Sequence, residues 1–203
     1  MKELLEGYRR FKRERWPAEH AHFLELSKGQ KPHTLVIACS DSRVDPANIF
    51  HVWPGELFVV RNVGGIVPPF EAEGAYHGTS AALAFAVLSL NVQTILVLGH
   101  AQCGGVAAAL ANDQSIEQAP FLAGWISLLA PAIARCKASA MPQRAVEHET
   151  IRLSLERLRT FPFVDRRVRE GALALRGAYF GIADGKLEIL DAELGEFTIV
   201  DDA

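Results

Sequence analysis

Cysteine is scarce in this chain: three residues in 203, an odd number with no framework spacing. That excludes a disulfide-stapled scaffold, whose bridges come in pairs at characteristic intervals. A reducing compartment fits instead, one that keeps thiols free for chemistry, and a cytoplasmic location is expected. Basic residues show no excess, with 21 Lys+Arg against 24 Asp+Glu and a net charge of −3. The electrostatic footprint of a nucleic-acid binder is therefore missing. The one local basic run (Arg9, Arg10, Lys12, Arg13, Arg15) is interleaved with Glu3, Glu6, Glu14 and Glu19, the pattern of a solvated helix face. Long apolar runs are absent as well. Residues 1–6 hold no apolar stretch of a secretory signal, and the most apolar segment, 81–90, is too short to cross a bilayer. No repeat, low-complexity tract or linker divides the chain, so residues 1–203 read as one domain with a sizeable core.

The elements follow from apolar periodicity. Leu4, Leu5, Tyr8 and Phe11 form one stripe of an amphipathic helix over 3–15, and Pro17 interrupts it to open a second short helix ending near Leu26. Together these make an N-terminal helical arm over 1–27. Buried-type strands fall at 34–39, 56–61, 94–98, 173–180 and 187–190, the last two joined by an Asp184-Gly185 hairpin turn. Helical patterns cover 74–90, a segment from near Cys103, 121–138 (kinked or divided by Pro131) and 144–159. This order predicts an α/β fold. Its central sheet is mostly parallel, about four parallel strands plus an antiparallel edge strand, and is flanked by helices.

Two clusters carry chemistry. Cys39-Ser40-Asp41-Ser42-Arg43-Val44 follows the first strand, and His100-Ala101-Gln102-Cys103-Gly104-Gly105 follows the third. Both therefore fall at the carboxyl edge of an open α/β sheet, where ligand sites of such folds lie. Cys39, Cys103 and His100 make a zinc donor set with a fourth position left for water. Asp41 is the candidate hydrogen-bond partner of that water, and Arg43 the cation that holds it ionised and away from the metal. A switch is implied: Asp41 silences the site if it ligates, and Arg43 opens it by drawing Asp41 aside. Gly104 and Gly105 leave the turn bare, so a small substrate can approach the backbone. Taken singly, a cysteine after a strand is ordinary core, and an Asp–Arg pair is ordinary surface. Their coincidence at two strand ends is what points to a metal. Cys136 sits on an apolar helical stripe as a packing residue, and the other six histidines show no ligand spacing.

These residues resemble the β-class carbonic anhydrases, and the likeness covers nearly the whole chain. It runs through Gly29-Gln30, the two clusters, Pro54-Gly55-Glu56, Arg61-Asn62-Val63, Val67-Pro68-Pro69, Phe161-Pro162-Phe163-Val164 and Gly177-Ala178-Tyr179. The resemblance implies reversible hydration of carbon dioxide to bicarbonate and a proton by zinc-bound hydroxide, with one zinc per chain on Cys39, His100 and Cys103. Asp41 and Arg43 are then the catalytic and gating dyad, with Asp41 on the metal only in a closed state. The spacing is similar to the plant-type branch, which places Gln30 as a substrate contact from the partner subunit, Phe58 as an aromatic wall, and Phe85 where a tyrosine is common. Gly104 would help orient the substrate. Paired glycines at 64 and 65, where Ala-Asn is common, are expected to loosen the loop near the site. Val36 replaces the tryptophan of the branch inhibited by bicarbonate, so no such control is expected. The family implies a homodimer or higher oligomer, with the arm lying on the partner and the active site at the interface, and neither nucleic acid nor membrane as a partner. Competing readings are a carbonyl sulfide or carbon disulfide hydrolase on the same fold, and a silent zinc-stabilised oligomer closed by Asp41. A cysteine phosphatase loop is excluded, because Asp45 stands where that loop needs arginine.

Overall fold

In the computed structural model, which describes residues 1–73, 77–111 and 119–201, one six-stranded sheet organises the chain. Its strands are β1 (Thr34–Cys39), β2 (Leu57–Asn62), β3 (Thr94–His100), β4 (Ala174–Phe180), β5 (Leu187–Leu190) and β6 (Phe197–Ile199). They lie in the order β2-β1-β3-β4-β5-β6. The first four are parallel, and β5 and β6 add an antiparallel edge. The four parallel strands match the expectation. The edge holds two strands rather than one, because β6 is only three residues long and too short to show a period of two. Leu35, Val36, Ile37 and Ala38 of β1 are fully buried, as a central parallel strand covered on both faces requires. The chain leaves β1 to one side for β2 and to the other for β3 and β4, so the strand order reverses between β1 and β3. A crevice opens at the carboxyl ends of such a pair.

Helices α1 (Lys2–Arg10) and α2 (Trp16–Leu26) are joined without a break by a π-helical turn over Phe11–Arg15. Pro17 therefore does not divide the arm. The wider π turn bonds the Trp16 N–H to Phe11 O, and Pro17 sits in the first turn of α2, where a missing N–H costs least. No residue of α1 is buried; Leu4 and Tyr8 are 73% and 59% exposed, so this part of its apolar stripe has no cover among the described residues. Next come α3 (Pro46–Ile49), capped by the Asp45 carboxylate, and α4 (Gly78–Ala84), which runs on as a π turn over Phe85–Ser89. The expected start of that helix at Gly74 lies outside the described residues. After α5 (Gly104–Ala111) and α6 (Pro120–Ile126), a 3-10 turn and Pro131 set off α7 (Ala130–Arg135), the division anticipated at that proline. Then follow α8 (Pro142–Leu158) and α9 (Pro162–Arg169). Helix α9 is not among the helical patterns of the sequence, because a proline after 144–159 reads as a helix end, whereas Pro162 occupies the first turn of a new helix. Among the described residues no helix is long and apolar enough to cross a membrane.

Helix α8 packs on β3 and β4 through Glu147, Ile151 and Leu155, spaced by four along one stripe. Gly99 permits the approach: a Cβ there would lie 2.7 Å from Ile151 Cδ1. On a neighbouring face, His148 has its ring 4.4 Å from Tyr179, edge-on, and stacked at 4.1 Å on Phe197 of β6. Burial, reinforced by the Arg144 and Arg152 charges, pushes its pKa down to about 4. Glu188 Oε2 lies 3.5 Å from its Nε2 and pulls the other way, but Arg144 engages Glu188 at 2.6 Å and burial prevails. Between its unfolded pKa near 6.5 and 4 the unfolded chain binds a proton that the native chain refuses, so stability falls as pH falls through that window. At pH 5 this group alone should destabilise by about 2 kcal/mol relative to pH 7. Thermal melts at pH 7 and 5 should show wild type losing more than His148→Phe, which keeps the aromatic stack. Equal losses would remove His148 as the cause.

Candidate metal centre

The register of the sheet brings the two clusters together. Ala38 of β1 pairs with Leu98 of β3, so Cys39, the last residue of β1, and His100, the last of β3, emerge side by side at the crevice. Cys103 follows one turn later, directly before α5. Gln102 between them holds φ at 55°, a left-handed backbone that a non-glycine residue adopts at a cost.

Cys39, His100 and Cys103 are all buried, and one donor atom from each lies within 4.8 Å of the others. The sulfurs are 4.0 Å apart. Two sulfurs, each about 2.3 Å from a tetrahedral zinc, would sit about 3.8 Å apart. The His100 Nδ1–H donates to Ala101 O at 2.9 Å, since a carbonyl only accepts, and this leaves Nε2 as the lone-pair nitrogen. That atom is buried and has no hydrogen-bond partner. A buried acceptor without a donor is costly, and a cation among the three donors would satisfy it. The thiols point the same way. Cys103 donates to Cys39 and, outweighing burial, pushes the Cys39 pKa down to about 4, while the adjoining thiolate and burial push Cys103 up. Burial alone would lower the His100 pKa, but the charge of the adjoining Cys39 thiolate and the hydrogen bond to the Ala101 carbonyl raise it. Two sulfurs and an unpartnered imidazole nitrogen converge within coordination distance of one point, so the residues fit a metal.

Asp41 stands apart from that trio. Arg43 grips it bidentately, Nε to Oδ1 at 2.9 Å and Nη2 to Oδ2 at 2.7 Å, and the Arg43 backbone N–H adds a third bond at 3.0 Å. This grip holds the Asp41 carboxyl well below the usual carboxylate range. Arg43 also donates to Gln102 O at 3.1 Å, tying the first cluster to the second.

Arg61 on β2 organises the loop around the dyad. Its guanidinium donates to the carbonyls of Cys39 (2.9 Å) and Asp41 (2.6 Å) and to the Asp45 carboxylate (3.1 Å). Asn62 closes the next turn, with Oδ1 accepting Ile66 N at 2.8 Å and Nδ2 donating to Ile66 O at 2.9 Å. The paired glycines do not loosen this turn, contrary to expectation. Both are buried, and a Cβ on Gly65 (φ 60°) would lie 3.2 Å from the β1 backbone at Ala38 and Cys39. The turn is pressed against the ligand strand, and glycine makes the contact possible. Sequence reasoning gave Arg61 and Asn62 no role beyond motif members. It missed Glu147 and the Tyr179 hydroxyl, which sit behind Cys103.

Of the remaining expected site residues, Gly104 is beside this cluster and Gln30, Phe58 and Phe85 are not. Gly104 opens α5 with unfilled space where a side chain would go. Phe58 and Phe85 are neighbours, with ring centroids 5.8 Å apart. Phe58, however, lies four residues before Asn62, the register partner of Cys39, which is about 13 Å of strand from the donor end. Gln30 is exposed ahead of the first residue of β1, a full strand of about 17 Å from Cys39. One chain thus assembles Cys39, Asp41, Arg43, His100, Cys103 and Gly104, and leaves Gln30, Phe58 and Phe85 at the other end of the sheet.

Fold and site define an α/β protein with a buried Cys-His-Cys group that could hold a metal ion at its topological switch point. The family model for carbonic anhydrase matches residues 34–187. Among curated relatives, the chloroplastic β carbonic anhydrase 5 of Arabidopsis thaliana is 36% identical over 88% of this chain, which spans 60% of that protein. A carbonic anhydrase of Pseudomonas aeruginosa is 37% identical over 97% of this chain and 90% of its own length. The solved β-carbonic anhydrase CcaA superimposes with a TM-score of 0.89 at 31% identity, covering 100% of this chain and 92% of that one. Two tetrameric β-carbonic anhydrases of Sordaria macrospora are the subject of a further structure, with a TM-score of 0.74 at 28% identity over 95% of this chain and 98% of that one. The chain belongs to the β-class carbonic anhydrases.

Proposed function

We propose that this chain catalyses the reversible hydration of carbon dioxide to bicarbonate and a proton, using one zinc ion held by Cys39, His100 and Cys103. The observation that carries the reading is the Arg43 grip on Asp41, which keeps a carboxylate beside the donor set but out of it. A zinc ion held by these three donors would supply the Lewis acidity that makes water a nucleophile near neutral pH. Asp41, ionised and oriented by three hydrogen bonds from Arg43, is placed to accept a hydrogen bond from a water at the donor set and would orient it. Arg43 holds both Asp41 oxygens and so keeps the carboxylate out of the donor set. The bare Gly104 turn admits the substrate, and Cys39 and Cys103, both buried, wall the site from bulk solvent.

Gln30, Phe58 and Phe85 complete the substrate pocket from a second copy of the chain. Support comes from their place at the far end of the sheet, from the uncovered stripe of the 1–27 arm, and from exposed Phe85 and Leu88. The tetrameric relatives agree with an assembly of this kind. We read residues 1–203 as one domain and the location as cytoplasmic.

Stopped-flow hydration of carbon dioxide by zinc-quantified protein, scanned from about pH 6.5 to 9 around the range of zinc-bound water, tests the proposal. Turnover proportional to zinc content and rising with pH is expected. Full zinc with no hydration would overturn it in favour of a closed site or of a carbonyl sulfide or carbon disulfide hydrolase, which the same protein assayed on those substrates would separate.

A further inference from the structure

We infer that Glu147 is a positioning residue that fixes the metal ligand Cys103 from behind. Glu147 lies on α8 and is 4% exposed. Its Oε1 accepts the Cys103 backbone N–H at 2.9 Å and the Gln143 side-chain amide at 3.1 Å, and its Oε2 accepts the Tyr179 hydroxyl at 2.8 Å. Three donors converge on one carboxylate and nothing is asked of it as a donor, which suits an acceptor-only group. The arrangement ties α8, β4 and the ligand turn together at one point.

A carboxylate is an expensive way to seat a helix. An apolar residue at this place on the stripe would pack α8 on the sheet without removing a charge from water. What the carboxylate provides, and an apolar residue cannot, is a partner for the Cys103 N–H. Cys103 directly precedes α5, so that N–H has no place in the helical ladder, and the left-handed Gln102 before it is a conformation its surroundings must enforce. Holding the N–H sets the Cys103 backbone, and with it the direction of Cα–Sγ toward Cys39 and His100. Backing groups of this kind orient the groups that bind the metal. Glu147 does not act on substrate: the void beside it, lined also by His100, Cys103 and Thr150, has about 10 Å³, room for about one water.

The inference rests on the reading of Cys39, His100 and Cys103 as metal ligands, and cobalt distinguishes the two. Cobalt-substituted wild type should show thiolate-to-cobalt charge-transfer absorption. If it does not, the ligand reading falls, and this inference with it. If it does, Glu147→Ala should take up cobalt with that band shifted, and should release metal to a chromophoric chelator about tenfold faster or more. Circular dichroism and a thermal melt would show that the variant is folded. Glu147→Gln keeps an acceptor for the Cys103 N–H but turns an amide N–H toward Tyr179, and should fall between the two. A folded Glu147→Ala with the wild-type spectrum and release rate would overturn the inference alone. Should Glu147→Ala not fold, a Glu147→Gln protein indistinguishable from wild type in both readouts would overturn it equally.

Discussion

Asp41→Ala should keep its full complement of zinc and lose about 100-fold or more of its turnover. The metal stays because Asp41 contributes no donor in this conformation: its oxygens are taken by the Arg43 guanidinium and backbone. Turnover falls because a positioned hydrogen-bond acceptor at the reacting water is worth roughly 10²–10⁴-fold. The complementary variant sharpens the test. Arg43→Ala frees the carboxylate to reach the donor set, so it too should lose activity, while holding zinc at least as firmly as wild type. The measurements are zinc per chain by elemental analysis and stopped-flow turnover on the same samples. An active Asp41→Ala enzyme would remove Asp41 from the mechanism. An active Arg43→Ala enzyme would show that nothing needs to hold Asp41 aside.

Cys103→Ala should have the opposite signature, losing metal first and activity as a consequence. Two donors remain, one of them a thiol whose low pKa depends chiefly on the hydrogen bond from Cys103. The variant should purify with substoichiometric zinc, and its melting temperature should not respond to added zinc or chelator. Wild type should respond strongly. A ligand that binds only the folded chain, at 1,000 times its Kd, stabilises it by about 4 kcal/mol, which for a chain of this size is about 8 °C or more. A Cys103→Ala protein that holds one zinc per chain against chelator would exclude Cys103 as a ligand.

Much of this architecture was legible in the chain because its signals are local. Thr34–Cys39 reads as a strand since a parallel strand buried on both faces must be a continuous apolar run, and it carries its candidate metal donor at its end. His100 and Cys103 are likewise marked by adjacency to a strand. Where the signal is not local, reading failed. Pro17 was taken as a break because the π turn that tolerates it leaves no trace in residue type. The three residues of β6 are held as a strand by β5 more than by their own pattern. Glu147 carries no mark at all: among the charges of α8 it is indistinguishable from Glu149 or Glu156, and only the approach of α8 to the sheet, which Gly99 allows, makes it the partner of Cys103.

What the sequence by itself determined was the chemistry available: two cysteines and a histidine that could hold a cation, and an Asp and an Arg two positions apart. Those choices are covalent, and they hold in any conformation. Only the tertiary structure decided how far that chemistry is assembled. Strand pairing of β1 with β3 sets Cys39 and His100 side by side across sixty-odd residues of chain, and the Arg43 fork settles which way Asp41 points. The length of the same strands puts Gln30 and Phe58 beyond the reach of their own metal site. Distances of that kind follow from long-range packing, which no short stretch of residues encodes.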